Sequence, residues 1–210
     1  MTVGLSKQNP IPTNSPHVAN KTTSLEIINV TQQNALCVLT LRNISAKAIN
    51  GYSIGRSNNS KLDVDLTIGE KTIAPGEEFK ESIPLSASQR PPVINVLAVL
   101  FTDGTGDGEA QVIAANQERR QGTKQQLTHI LPLLRVSLTS SAPTELSTLK
   151  KQVAALSEEE DNVSPQLKNG KLRAKQDIIS KLELMGQDSV NSRKELLDLI
   201  KDIEERISRL

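Results

Sequence analysis

The densest run of candidate ligands is Asp103-Gly104-Thr105-Gly106-Asp107-Gly108. Oxygen-bearing side chains at positions one, three and five, followed by glycine at six, match the start of a loop that wraps a calcium ion in carboxylate and hydroxyl oxygens. The match then stops, because position twelve is Ala114, where a bidentate glutamate would close the loop, and Thr105 is a weak ligand. A ligand-binding module with a calcium site at Asp103, Thr105 and Asp107 is one expectation. The competing one is a plain strand-to-helix connection in which Asp107 caps the helix and Glu109 sits at its positive end. The same glycines lack the Lys-Ser/Thr of a nucleotide loop and a repeated strand-helix-strand frame.

Nucleophilic or acid-base chemistry needs a base held beside a nucleophile. The two histidines, His17 and His129, lie far apart in the sequence, the first in a proline-bearing lead-in and the second among Leu127, Ile130 and Leu131. Cys37 alternates in phase with Leu39 and Leu41, as a small core residue would. One cysteine and two distant histidines do not make a zinc set. Glu158-Glu159-Glu160-Asp161 reads as a solvated linker, and Glu118-Arg119-Arg120 with Lys124 as a wet helical face. The sequence therefore predicts no enzyme, no catalytic residues and no cofactor other than that calcium.

Composition narrows the partners. The 210 residues carry 25 Lys+Arg against 24 Asp+Glu, and their only aromatics are Tyr52, Phe79 and Phe101. Near-zero charge and so few stacking faces argue against a nucleic-acid surface. The longest apolar stretch, Val96 to Phe101, is far short of the ~20 residues that span a bilayer. No charged-then-hydrophobic leader opens the sequence, so it reads as a soluble chain.

The elements that must hold these groups follow from periodicity. Residues 1–23 read as a disordered or extended lead-in. From Ser24 to Thr102 the period is two, with strands expected at Leu25 to Thr31, Ala35 to Asn43, Ile49 to Arg56, Lys61 to Ile68, Glu77 to Leu85 and Val93 to Thr102. In Lys61 to Ile68, Leu62, Val64, Leu66 and Ile68 face inward while Asp63, Asp65 and Thr67 face water. The last strand is apolar on both faces, with Val93, Leu97, Val99 and Phe101 on one side and Ile94, Val96, Ala98 and Leu100 on the other, so something must cover it. The segment Asp107 to Thr139 offers Ile113, Leu127, Leu131, Leu134 and Leu138 at helical spacing, weakened at Gly122 and kinked or broken by Pro132 near His129 to Leu131. The fold class is α+β: an antiparallel immunoglobulin-like β-sandwich with a packed covering helix over 24–139, then a helical hairpin or coiled-coil tail over 140–210.

In the tail, Thr144 can cap a helix carrying Leu146, Leu149, Val153 and Leu156, and Ser164-Pro165 reads as a cap followed by proline at the first helical position. Ser192 and Glu195 form a reciprocal capping pair ahead of Leu196, Ile200, Ile203, Ile207 and Leu210, which repeat at 4, 3, 4, 3. Asp202 with Arg206 and Glu205 with Arg209 add helical ion pairs. So narrow a stripe needs a partner. The candidates are the preceding segment with Ile178, Leu182 and Met185, folded back as a hairpin, or another copy of the chain.

Leu39 to Ile54 (LTLRNISAKAINGYSI), Ile73 to Phe79 (IAPGEEF) and Val96 to Glu109 (VLAVLFTDGTGDGE), followed by Arg119-Arg120-Gln121-Gly122, resemble small uncharacterised exported bacterial immunoglobulin-like proteins with a helical region behind. The resemblance spans Leu25 to Leu134 and transfers no catalytic residue. It implies a periplasmic or extracellular location. The function expected is a non-enzymatic structural or protein-interaction module, binding a partner or itself through Leu196, Ile200, Ile203, Ile207 and Leu210.

Overall fold

A computed structural model describes residues 16–33, 35–56, 60–69, 71–85, 93–139, 146–158, 163–185 and 189–210. Among them are eight strands, one 3-10 turn and four α-helices, an α+β protein with two sheets. Strand β1 is His17–Asn20, β2 Leu25–Gln33, β3 Leu36–Asn43, β4 Ile49–Arg56 and β5 Lys61–Asp65; β6 is Glu78–Pro84, β7 Val93–Phe101 and β8 Gly106–Gly108. One sheet runs β1-β7-β4-β5 with β8 also on β7, and the other runs β2-β3-β6. All pairings are antiparallel except β1 on β7, which is parallel. Of the two expectations for the lead-in, disordered or extended, His17–Asn20 takes the extended one, as a strand.

Period-two alternation fills the space between the sheets. Leu25, Cys37, Leu39, Leu41 and Ile83 come from one side, and Tyr52, Ile54, Ile94, Val96, Val99 and Phe101 from the other. Each fully buried aliphatic side chain contributes ~1.5–3 kcal/mol. The rings of Tyr52 and Phe79 meet across this core with centroids 5.2 Å apart. Three bulges break the alternation, one of them at Ile28 of β2, between the pairs Ile27–Leu41 and Asn29–Thr40. Ser53 pairs with Ala98 but Ile54 with Val96, so Leu97 is the extra residue; before it Ile94 and Val96 enter the core, and after it Val99 and Phe101 do. This corrects the expected two-face split of β7, because a bulge flips the phase of everything beyond it. Asn50 is the extra residue on β4, between the pairs Ile49–Phe101 and Gly51–Leu100. Strand β5 stops at Asp65, whose carboxylate caps the 3-10 turn Leu66–Ile68, leaving Ile68 exposed rather than in the inward row.

Helix α1 runs unbroken over Ala110–Thr139, followed by α2 (Leu146–Ala155), α3 (Pro165–Leu184) and α4 (Ser189–Arg209). Pro132 lies inside α1 and does not end it, so of the expected kink or break the break does not occur. Ser164 does cap α3, accepting from the Leu167 amide, with Pro165 in the first turn. Ser192 and Glu195 are not a cap, because α4 begins at Ser189. Thr144 and residues 186–188 lie outside the described residues.

A second core lies among the helices: Leu127, Ile130 and Leu134 of α1, Leu149 and Val153 of α2, Ala174, Ile178 and Leu182 of α3, and Leu196, Leu199, Ile200 and Ile203 of α4. The covering helix thus gives its second half to the tail. Gly122 is where α1 and α3 cross: a Cβ there would lie 2.0 Å from the Leu167 carbonyl oxygen, and one at Gly170 2.0 Å from that of Arg119. Glu118 lies beside Ser164 and Gly122 beside Leu167, so α1 and α3 run in the same direction. Ion pairs Asp177–Arg206 and Lys181–Asp202 run the other way along α3 and α4, which are antiparallel.

Candidate functional site

The two cores meet where the first half of α1 lies on the outer face of β4 and β5. Strand β4 turns Gly51, Ser53 and Gly55 toward that face, and their small size lets polar groups approach the backbone: a Cβ at Gly51 would sit 2.6 Å from an Arg120 nitrogen. Asn116 Nδ2 donates to Ser53 Oγ at 2.8 Å, and that hydroxyl donates to Asp63 Oδ1 at 2.6 Å. Arg119 Nη1 donates to Asn116 Oδ1 and pairs with Asp63 Oδ2, each at 3.0 Å. Lys61 adds a contact to Asp63 at 3.1 Å.

Arg120 is bound as tightly. Its Nη1 donates to Asn50 Oδ1 at 2.8 Å, and its Nη2 to the Asn50 carbonyl at 2.7 Å and to Asp65 Oδ1 at 3.0 Å. The Asn50 bulge is what turns that carbonyl outward, since the extra residue drops out of the ladder. Burial pulls the Arg120 guanidinium below its ordinary pKa and Asp65 partly offsets this. Burial alone would raise Asp63, but Ser53, Arg119 and Lys61 outweigh it and hold the carboxyl below its usual value. Buried charge is tolerated here because its partners are in place.

Beyond these pairs, α3 and α4 close a cavity of about 170 Å³, lined among others by Arg119, Arg120, Arg173, Arg206 and Asp177. Arg206 Nη1 meets Asp177 Oδ2 at 2.9 Å, and Arg206 is 6 % exposed. The sequence places Arg119, Arg120, Asp63 and Asp65 on wet faces. They are covered, and what could have revealed it is the alternation of Gly51, Ser53 and Gly55, a flat strip on which a helix can lie.

Of the candidate calcium residues, Asp103 and Thr105 are hydrogen-bonded to each other, while Asp107 binds a different part of the chain. Asp103 Oδ2 pairs with Lys47 at 2.8 Å and its Oδ1 accepts from the Thr105 amide and hydroxyl, which together hold it well below the usual carboxylate range. Asp107 does not cap α1. Its Oδ2 instead accepts from the amides and hydroxyls of Thr23 and Ser24 at 2.7–3.1 Å, tying β8 to the start of β2. Burial would raise Asp107, and those four donors pull it below its ordinary value. No group of three His, Cys, Asp or Glu side chains able to hold a metal occurs among the described residues.

Cys37 is fully buried and burial pushes its thiol up. His17 lies in β1 and His129 on the exposed side of α1. Glu158 pairs with Lys175, and 159–161 lie outside the described residues. The expected partner-binding stripe is corrected: Leu196, Ile200 and Ile203 are at most 5 % exposed, and Ile207 and Leu210 pack against the same internal core. The partner helices are the chain's own, α3 supplying Ile178 and Leu182 with Met185 packed beside them. Asp202 and Arg206 bridge to α3 instead of to each other, while Glu205–Arg209 forms as a helical pair at 3.6 Å. No described helix is long and apolar enough to cross a membrane. Comparison with protein-family models, with curated proteins and with solved structures gives no match to this chain.

Proposed function

We propose that the chain is a non-enzymatic, exported protein-interaction module of immunoglobulin-like type, and that its contact surface is the end of the helical bundle remote from the sheets. The immunoglobulin-like reading is supported by β3 pairing with β6 and β4 with β7, strands distant in sequence brought together across two sheets. The resemblance of Leu39 to Ile54 and Val96 to Glu109 supports export. The non-enzymatic reading is supported by the use of the acidic clusters: Asp63, Asp65, Asp103 and Asp107 each bind groups that hold one element to another.

One observation carries the choice of surface. Val136, Leu184 and Leu197, 66 %, 86 % and 41 % exposed, all lie at the same end of the bundle. The direction of α1 and α3, with α4 antiparallel, brings the last turns of the first two beside the first turns of the third. The 30 residues of α1 extend ~45 Å, so this end stands well clear of the sheets. Exposed apolar groups gathered at one tip mark a contact surface more readily than the same groups scattered.

Photo-crosslinking in cells from position 184 tests the proposal. The expected result is a crosslink to a partner protein or a second copy that disappears in Leu197→Asp, while the melting curve stays within ~0.5 kcal/mol of the parent, as for other surface changes. No crosslink, or one indifferent to Leu197→Asp, overturns it.

A further inference from the structure

The cavity at the junction holds more donors than the protein uses. Arg119, Arg120, Arg173 and Arg206 line it against Asp63, Asp65 and Asp177, four positive charges to three negative. Arg120 is fully engaged by Asn50 and Asp65. The Nε groups of Arg119 and Arg206, however, are buried with no hydrogen-bond partner. Arg206 is more than nine-tenths buried, and a buried cationic N–H without an acceptor is costly enough to require an explanation. Arg173 stands at the rim, exposed, with no ion pair among the described residues.

We propose that this cavity is a binding site for one small oxyanion, a phosphate monoester or a small carboxylate, held by Arg119 of α1, Arg173 of α3 and Arg206 of α4. Guanidinium groups from three helices line this one cavity, and the paired N–H donors of a planar guanidinium match the spacing of oxyanion oxygens. The excess of positive charge in the lining favours an anion. The volume, slightly above the ~150 Å³ that accommodates a benzene ring, fits a phosphate with a short substituent and is too small for a nucleotide or a folded peptide. Water could satisfy the orphan N–H groups but not the charge. Because the three arginines come from three helices at the level of the sheet, the anion would tie the bundle together where it meets the sandwich.

The test is a titration of the full chain with inorganic phosphate, methyl phosphate and acetate, each against chloride at matched ionic strength. It is followed by melting temperature and by the side-chain Nε–H signals of the arginines. We expect a saturable rise in melting temperature with at least one probe at millimolar concentration, accompanied by shifts of the Arg119 and Arg206 signals. The best of the three probes identifies the source chemistry. Arg173→Gln, which removes no internal ion pair, is expected to weaken binding ~10-fold, while Arg56→Gln, outside the cavity, leaves it unchanged. Absence of a saturable rise with all three probes, a rise that leaves both Nε signals unmoved, or full affinity in Arg173→Gln overturns the proposal.

Discussion

Helix α1 has two interfaces of opposite kinds. Its first half meets the sheet through the hydrogen bonds and ion pairs of Asn116, Arg119 and Arg120, with Ile113 lying against Gly106. Its second half meets the other helices through Leu127, Ile130 and Leu134, beginning where Gly122 and Gly170 bring two backbones together. The difference teaches that one helix joins two cores by different forces: directional polar contacts fix where it sits on the sheet, and close packing fixes the bundle behind it. The first should respond to salt and pH, the second to volume.

The largest expected effect is at the crossing. Gly122→Ala improves intrinsic helix propensity by ~1 kcal/mol, yet its Cβ would meet the Leu167 carbonyl oxygen at 2.0 Å, and backbone cannot rotate away. Overpacking of this kind costs at or above the top of the ~1–3 kcal/mol range, so a net loss of ~2 kcal/mol is expected. Denaturant melts should measure it, with amide exchange faster in α3 and unchanged in β3. A stabilised Gly122→Ala would mean the helices are free to separate, and the contrast between the interfaces would fail.

Arg119→Gln comes next. Asp63 keeps Ser53 and Lys61, so a loss of only ~1 kcal/mol is expected, the scale of one partly buried charged hydrogen bond. The sharper readout is salt: the parent should lose more stability than the variant between low and high ionic strength. Equal salt response would remove electrostatics from the joint.

The smallest effect is acid. Asp63 and Asp107 are held below their ordinary values, so what they contribute is complete above the unfolded carboxylate pKa of ~3.9 and disappears as pH falls through their lower folded values. The melting temperature should be flat in this respect from pH 7 to ~5 and decline below ~4. In Asp107→Asn that decline should be shallower.

These two interfaces also differ in how legible they were. Period-two runs located β4 to the residue and the other long strands to within a few residues, and Ser164-Pro165 marked the start of α3, because alternation and capping are local. The stripe in α4 correctly required a partner helix, and the chain supplies it internally. What stayed hidden depends on tertiary packing. A one-residue bulge at Leu97 leaves no local trace in a strand apolar on both faces. Asp63, Asp65, Arg119 and Arg120 read as solvated until an opposing surface brings them together. Pro132 sits inside α1 because packing of Leu127, Ile130 and Leu134 outweighs one missing amide donor. For the candidate calcium residues, the Asp-Gly spacing was visible, but nothing in it said that Lys47, Thr23 and Ser24 would occupy those oxygens.

The pairing of β1 and β8 on β7 has one more effect. Val93–Phe101 is the most adhesive stretch of the chain, and with β4 along one side its other border would be an open template for a neighbouring molecule. His17–Asn20 closes the first part of that border and Gly106–Gly108 the last. A ribosome releases the first of these guards long before the strand it protects, so the nascent chain waits with its shield already made.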